Sequence, residues 1–465
     1  MIMKKNVILL MMLFLSLSAT ADDSGTCGNN ATYTYNANTH TLTISGTGNM
    51  HNYMGENTRP WQSYANDISS VVINSGITSI GDFAFIRLTQ LSSVSISNSV
   101  KSIGSTAFYG CSNLTSITIP SSVKSIDFTS FNACTNLSTI KVESGNTVYD
   151  SRSNCNGIIK TSTNTLLTGC KNTVIPNTVT AIGTYAFYNC NSLSSIIIPS
   201  SINSIASSAF YGCDGLNTVV IPNSVTSMGS SVFSNCSGLK EITLSENLTS
   251  IKSSVFLYCV SLKSINIPRS VTSIENSAFY GCQGLTSITV DKQNTYYDSR
   301  DNCNAIIETA SNKLIIGCSS TVIPNSIIRI DEYAFIGCNN SAFILPSSIA
   351  SIGNYAFAFC DDLKDLYLYA EEPPIVDSNT FTNTQNITLH VPAASVAKYL
   401  TSSIWKDFGT IVALTDSDPK PTNVRRIVTN HYIKDLYYDL QGRPFRNPRR
   451  GLFILNGIKV VVPEK

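Results

Sequence analysis

The chain runs to 465 residues, enough for about three domains of ordinary size, and 43% of it is hydrophobic. Only 13% is charged and the formal net charge is +1, which excludes a disordered polyelectrolyte and argues against a general nucleic-acid binder. The charge is uneven: residues 420–465 carry ten Lys/Arg against three Asp/Glu, and with these and Lys4 and Lys5 set aside, 22–419 is left at −8.

The chain opens on Lys4 and Lys5, an apolar run from Val7 to Leu17, and Ala19-Thr20-Ala21. This is the order of a secretory signal peptide, expected over 1–21 and cut after Ala21. The run is too short to span a bilayer and no other segment reaches 18 apolar residues, so no transmembrane segment is expected. Ser24-Gly25-Thr26, ahead of Cys27, lacks the Leu of a lipoprotein signal, so no lipid anchor is expected either.

A repeat follows. The phrase Leu114-Thr-Ser-Ile117-Thr-Ile119-Pro120-Ser-Ser-Val123-Lys-Ser-Ile126 returns as Leu193 to Pro199, Leu216 to Pro222 and Leu262 to Pro268. Cys190, Cys213, Cys236, Cys259 and Cys282 are each 23 residues apart, within the period of leucine-rich repeats. In L-x-x-I-x-I the alternate apolar residues share one face of a short strand. Pro ends that strand, Val-x-x-Ile returns apolar groups inward, and Ala-Phe is expected on a helical turn. One such unit cannot bury its own apolar face, but stacked copies can. The expectation is a repeat solenoid over 77–369.

Two units carry inserts, at about 143–176 and 291–324. Asn146-Thr-Val-Tyr-Asp150-Ser-Arg152-Ser-Asn-Cys155 matches Asn294-Thr-Tyr-Tyr-Asp298-Ser-Arg300-Asp-Asn-Cys303 at an offset of 148. Each insert reads as a β-hairpin: in the first, Ile158-Ile159, a polar turn at 162–164, then Leu166-Leu167. Recurrence of Asp150/Arg152 and Asp298/Arg300 suggests that the pairs pin the insert turn. Residues 370–415, with Pro373-Pro374, Phe381, Tyr399, Trp405 and Phe408, read as a closing cap. A polar linker spans 416–422. In the tail, 423–465, Asn456-Gly457 between Gly451–Leu455 and Ile458–Val462 signals a hairpin in a small β module.

The repeat phrase, the Ala-Phe-x-x-Cys turn and the inserts together resemble the BspA-like family of bacterial leucine-rich-repeat surface proteins. Cys27-Gly28, Thr41-Leu-Thr-Ile-Ser45-Gly-Thr-Gly48 and Pro60-Trp61 resemble that family's N-terminal cap, which places a β cap over 22–76. The resemblance covers about 27–415. It implies a leucine-rich-repeat right-handed superhelix of short β-strands and short helical turns. It also implies a secreted or outer-surface protein, acting as an adhesin toward a host-matrix protein or another microbe's surface. The tail resembles the end of a type IX secretion sorting domain, but is short for one, which leaves either an export signal or a plain terminal seal.

Fourteen cysteines in a secreted chain point first to disulfides. Their period points instead to buried thiols stacked coil on coil: Cys111, Cys134, Cys190, Cys213, Cys236, Cys259, Cys282, Cys338 and Cys360. Cys155/Cys170 and Cys303/Cys318 fall at nearly opposite positions of the two hairpins and are the candidate cross-strand bridges. No C-x-x-C, H-E-x-x-H, G-x-S-x-G or phosphate-loop motif occurs, so neither metal, cofactor nor catalytic centre is expected. The outward strand positions include Thr118, Ile197, Val220, Thr243, Asn266 and Tyr367, a row of mostly small, uncharged groups. Ile197 and Val220 form its apolar spot and are the preferred contact for a protein partner. Tyr109, Tyr188, Tyr211 and Tyr280 form a second line, structural first and a partner anchor second. A binding protein and a passive surface spacer both remain open, with glycan binding disfavoured by the lack of aromatic groups on the strand face.

Overall fold

A computed structural model describes residues 23–275 and 277–421, and beyond them the backbone of Tyr437–Tyr438, Pro444–Phe445, Gly451–Leu455 and Ile458–Val462. The expected signal peptide lies outside the described residues. The chain divides between Pro421 and Thr422 into two compact units. The first is a β-solenoid of about 15 turns, mostly strand with few short helical turns.

One coil shows how the sequence makes the turn. Ile205, Ala209, Phe210, Cys213, Leu216, Val219, Ile221 and Val225 all point inward and are 2% exposed or less. Two strands flank them. Ser204–Ile205 pairs in parallel with Ser227–Met228, and Thr218–Val220 with Glu241–Thr243. Each coil thus gives its neighbour an apolar face that neither could bury alone.

The corner between the strands is not the expected helical turn. Ser208 (φ 55°) and Gly212 (φ 67°) are left-handed, and alternate N–H groups go to different places. Those of Ala209, Tyr211 and Cys213 bond three residues back, whereas those of Ser208, Phe210 and Gly212 donate to Ser230, Val232 and Ser234 of the next coil at 2.8–2.9 Å. A helix would use all of these donors internally. Behind the corner, Phe187, Phe210, Phe233, Phe256 and Phe279 stack at 5.0–6.1 Å between ring centroids.

The cysteines complete the corner. Cys111, Cys134, Cys213, Cys236, Cys259, Cys282 and Cys360 each donate S–H to the carbonyl of a Phe one coil back, at 3.0–3.2 Å. The thiol is a small donor that fills the core and satisfies a buried carbonyl. Cys190 and Cys338 follow the inserts, where the preceding coil has no such Phe, and make no such bond.

Each insert is a three-stranded antiparallel element. Tyr149–Asp150 pairs with Ile158–Lys160, which pairs with Thr165–Thr168; Tyr297–Asp298, Ile306–Glu308 and Lys313–Ile316 repeat the arrangement. The candidate bridges Cys155–Cys170 and Cys303–Cys318 are not formed, and all fourteen cysteines are free. The reason is a β-bulge. Ile159 pairs with Leu166 but Ile158 pairs with Thr168. The extra residue puts Asn156, not Cys155, opposite Cys170, and one residue of slip turns a side chain to the other face. Cys170 accordingly packs with the core before the insert and Cys155 with the core after it. The same bulge between Ile306 and Ile307 separates Cys303 from Cys318.

At the N-terminal end Asp23–Thr26, Asn30–Asn36 and Thr41–Asn49 form an antiparallel sheet, and Thr41–Asn49 then pairs in parallel with Ser70–Ile73, the first coil strand. Trp61 is fully buried there. At the other end Trp405, Tyr399, Phe381 and Phe408 close the core, with the Trp405 indole N–H on Pro374 O at 2.8 Å. The second unit is an antiparallel sheet in which Gly451–Leu455 pairs along its length with Ile458–Val462, from Gly451 opposite Val462 to Leu455 opposite Ile458. Among the described residues no helix is long and apolar enough to cross a membrane.

Candidate interaction surface

The outward positions of the longer strands alternate with the buried ones, as the pleat requires. Thr118, Thr243 and Asn266 stand exposed on this face. Thr289 Oγ1 donates to Asn266 Oδ1 at 2.9 Å, so neighbouring coils share a polar contact across the face. Tyr367 is half-buried. It stacks on His390 with ring centroids 4.3 Å apart, and His390 Nε2 lies 2.9 Å from Asp365 Oδ1.

Ile197 is 85% exposed and Val220 63% exposed. A third residue joins them. Val174 is 70% exposed and is absent from the row read off the sequence. Its coil begins inside an insert and lacks the Leu-x-x-Ile opening, but Val174-Ile175-Pro176 aligns with Ile197-Ile198-Pro199 and carried the signal. Backbone bonds fix the three coils as neighbours: Asn203 N–H donates to Thr180 O at 2.9 Å and Thr226 N–H to Asn203 O at 3.1 Å. Val174, Ile197 and Val220 therefore hold one position in three consecutive coils, an uncharged apolar row at about strand spacing. Residues 194–198, the middle of the row, form no strand.

The tyrosine line lies at the corner and uses its own ring faces. Tyr188 and Tyr211 stack at 4.8 Å, Tyr333 and Tyr355 at 5.5 Å, and Tyr280 meets Tyr258 and Tyr333 edge-on at 5.2 and 5.3 Å. Tyr109 is half-buried beside them. Each stacked pair covers one face of each ring against the other. Tyr280 is held up to about 12 by the Tyr258 hydroxyl and by burial.

The recurring charged pairs are internal fasteners. Arg152 Nε and Nη2 fork onto Asp150 at 2.8 and 2.6 Å, and Nη1 reaches Asn164 Oδ1 at 3.0 Å across the hairpin. Arg300 does the same with Asp298 and Asn312. Burial pushes the Asp150 carboxyl up, and the Arg152 bonds outweigh it and leave the group below its usual value. Burial raises Cys236 to about 12 and Cys111, Cys213 and Cys259 well above the usual thiol range, so these sulfurs stay protonated and unreactive. Among the described residues no group of three or more His, Cys, Asp or Glu could hold a metal ion.

The family model described as BspA type leucine-rich repeat region matches residues 62–165, 158–286 and 302–407 in six copies. No curated protein matches. Among solved structures, a leucine-rich repeat protein from Eubacterium ventriosum is 24% identical, with 73% of this chain and 95% of that one covered and a TM-score of 0.46. A leucine rich cell surface protein from Faecalibacterium prausnitzii is 22% identical over 86% of this chain and 97% of that one, with a TM-score of 0.46. A leucine-rich repeat protein from Bacteroides ovatus is 20% identical over 83% and 99%, with a TM-score of 0.37.

Proposed function

This chain belongs to the BspA-type leucine-rich-repeat family, and on that premise we propose that it is a secreted or outer-surface binding protein. Its partner is another extracellular protein, from a host matrix or from the surface of another microbe. The observation that carries this reading is the row Val174, Ile197 and Val220, three large apolar side chains left in water on consecutive coils of a mostly polar face. Covering one such side chain contributes about 1.5–3 kcal/mol before the cost of association is subtracted. The row alone therefore supports a weak contact, and the polar positions Thr118, Thr243, Asn266 and Tyr367 extend it along the solenoid. Residues 1–21 act as the export signal, and the tail 423–465 as a sorting signal for the outer membrane.

The test is a titration of the full chain against matrix proteins, mucins and polysaccharides at low and physiological salt. A saturable protein ligand is expected, with little salt dependence because the row is uncharged. The double variant Ile197→Asp, Val220→Asp keeps the circular dichroism spectrum and loses about tenfold or more in affinity. Full affinity in that variant refutes the row as the contact. The small, uncharged character of the remaining outward face favours one other reading, a spacer with no dedicated ligand, and silence across the panel selects it.

A further inference from the structure

Three independent features of the solenoid stop at the same two places. The first is the core. Buried apolar side chains from Cys27 to Tyr149 form one cluster, those from Ile175 to Ile288 a second, and those from Ile323 to Phe408 a third. The boundary is a single strand each time. Ile158 and Ile159 are adjacent and both fully buried, yet Ile158 packs into the first cluster and Ile159 into the second. Ile306 and Ile307 divide the second cluster from the third in the same way. Consecutive side chains of a strand point to opposite faces, so each central insert strand is a wall with a core on either side.

The second feature is the phenylalanine stack. It runs Phe85–Phe108–Phe131, then Phe187 to Phe279, then Phe335–Phe357–Phe381, and no ring contact of the series joins Phe131 to Phe187 or Phe279 to Phe335. The third is the corner backbone. Ordinary neighbours such as 208–212 and 230–234 share three bonds. At the first insert one remains, Ala133 N–H to Tyr188 O at 3.1 Å, and among the described residues none joins 277–281 to 333–337. The cysteine-to-carbonyl bonds lapse there as well, at Cys190 and Cys338. What else crosses each wall lies outside the core: Phe128 on Tyr185 at 5.7 Å, Ser192 Oγ to Thr135 O at 2.7 Å and Lys171 N–H to Leu137 O at 3.3 Å over the first, Tyr280 on Tyr333 at 5.3 Å and Ser320 Oγ to Thr286 O at 2.6 Å over the second.

We propose that the two inserts are bulkheads, which divide the solenoid into three units that open and close separately. In a stack of identical coils, local opening spreads because each coil is held by its neighbour's rings, thiols and backbone. At a bulkhead the rings and thiols do not couple and the backbone coupling is reduced, so opening on one side leaves the other side folded. A surface protein built this way can lose one unit to strain or proteolysis and keep the others.

The test uses position. Phe279 is the last ring before the second wall; Phe256 stacks on it at 5.3 Å from within its own unit, and Phe335 is the first ring of the series on the far side. In the full chain carrying Phe279→Leu, hydrogen exchange under mildly denaturing conditions is expected to rise about tenfold in 251–262 and stay unchanged in 327–338. Phe335→Leu is the mirror image and is measured alongside, so that poor folding of one variant does not leave the question open. It should speed exchange in 349–360 and not in 274–285. Equal acceleration on both sides of the wall, or acceleration confined to the substituted coil, overturns the proposal.

Discussion

Gly169 and Gly317 sit where an aromatic ring of the following coil comes close to the backbone. A Cβ on Gly169 would be 2.2 Å from Phe187 Cε1, and one on Gly317 2.1 Å from Phe335 Cε1. Both rings are at most 1% exposed and cannot swing away. Gly317→Ala should therefore destabilise the protein by about 1–3 kcal/mol. Calorimetry would show it as a lowered Tm, and adding Phe335→Leu should restore part of the loss by making room. At this scale the sequence is only partly legible. The 23-residue cysteine period announces a buried ladder, because a group that recurs once per coil must stack on its equivalents. The acceptor, a phenylalanine carbonyl one coil back, leaves no mark in the sequence. Nor does the bulge that parts Cys155 from Cys170: in a hairpin without the extra residue the two would face each other, and no residue at the bulge is a glycine that would betray it.

The corner segments behave as an element of their own, with a direction. Every inter-coil N–H of the corner donates toward the C-terminal neighbour, so the first coil of the stack is left with open carbonyls. The N-terminal cap fills them. Tyr53 N–H donates to Asp82 O at 3.0 Å, Trp61 Nε1–H to Ala84 O at 3.2 Å and Arg59 Nη1–H to Ile86 O at 2.6 Å. This accounts for Arg59, a 4% exposed cation bonded to no carboxylate: a charged donor suits the carbonyl end of an aligned row. Arg59→Leu should fill the same space but leave Ile86 O without its donor. A loss of about 1–3 kcal/mol follows, with hydrogen exchange rising first in the coil at 82–88. Trp61 is readable as a cap residue, because Pro60-Trp61 belongs to the stretch that resembles the family's N-terminal cap. Arg59 is not, because the open carbonyls it serves belong to a corner that the sequence suggested would be a helical turn. Left-handed residues at that corner are more often non-glycines such as Ser208, Ser231, Ser254 and Tyr333 than glycine, so the usual signature of the conformation is missing.

On the scale of the whole molecule, stability is a sum of coils and of the interfaces between them, and it is this additivity that makes the architecture editable. Removing 214–236, one full period inside the middle unit, joins Cys213 to Ser237 and returns every later Leu, Ile and Phe to the place of its equivalent. The shortened chain should keep the circular dichroism spectrum of a solenoid and lose only the share of one coil, seen as a modest fall in Tm. Removing 214–224, about half a coil, should abolish the cooperative unfolding of the middle unit, because the strand face and the corner would then exchange places as far as the second insert. The first deletion also takes Val220 out of the apolar row and brings Thr243 beside Ile197. The folded product should therefore bind more weakly than the parent while unfolding almost as late. A chain that folds after the full-period deletion and still binds at full strength would show that the contact lies away from the row, on a part of the surface the missing coil does not touch.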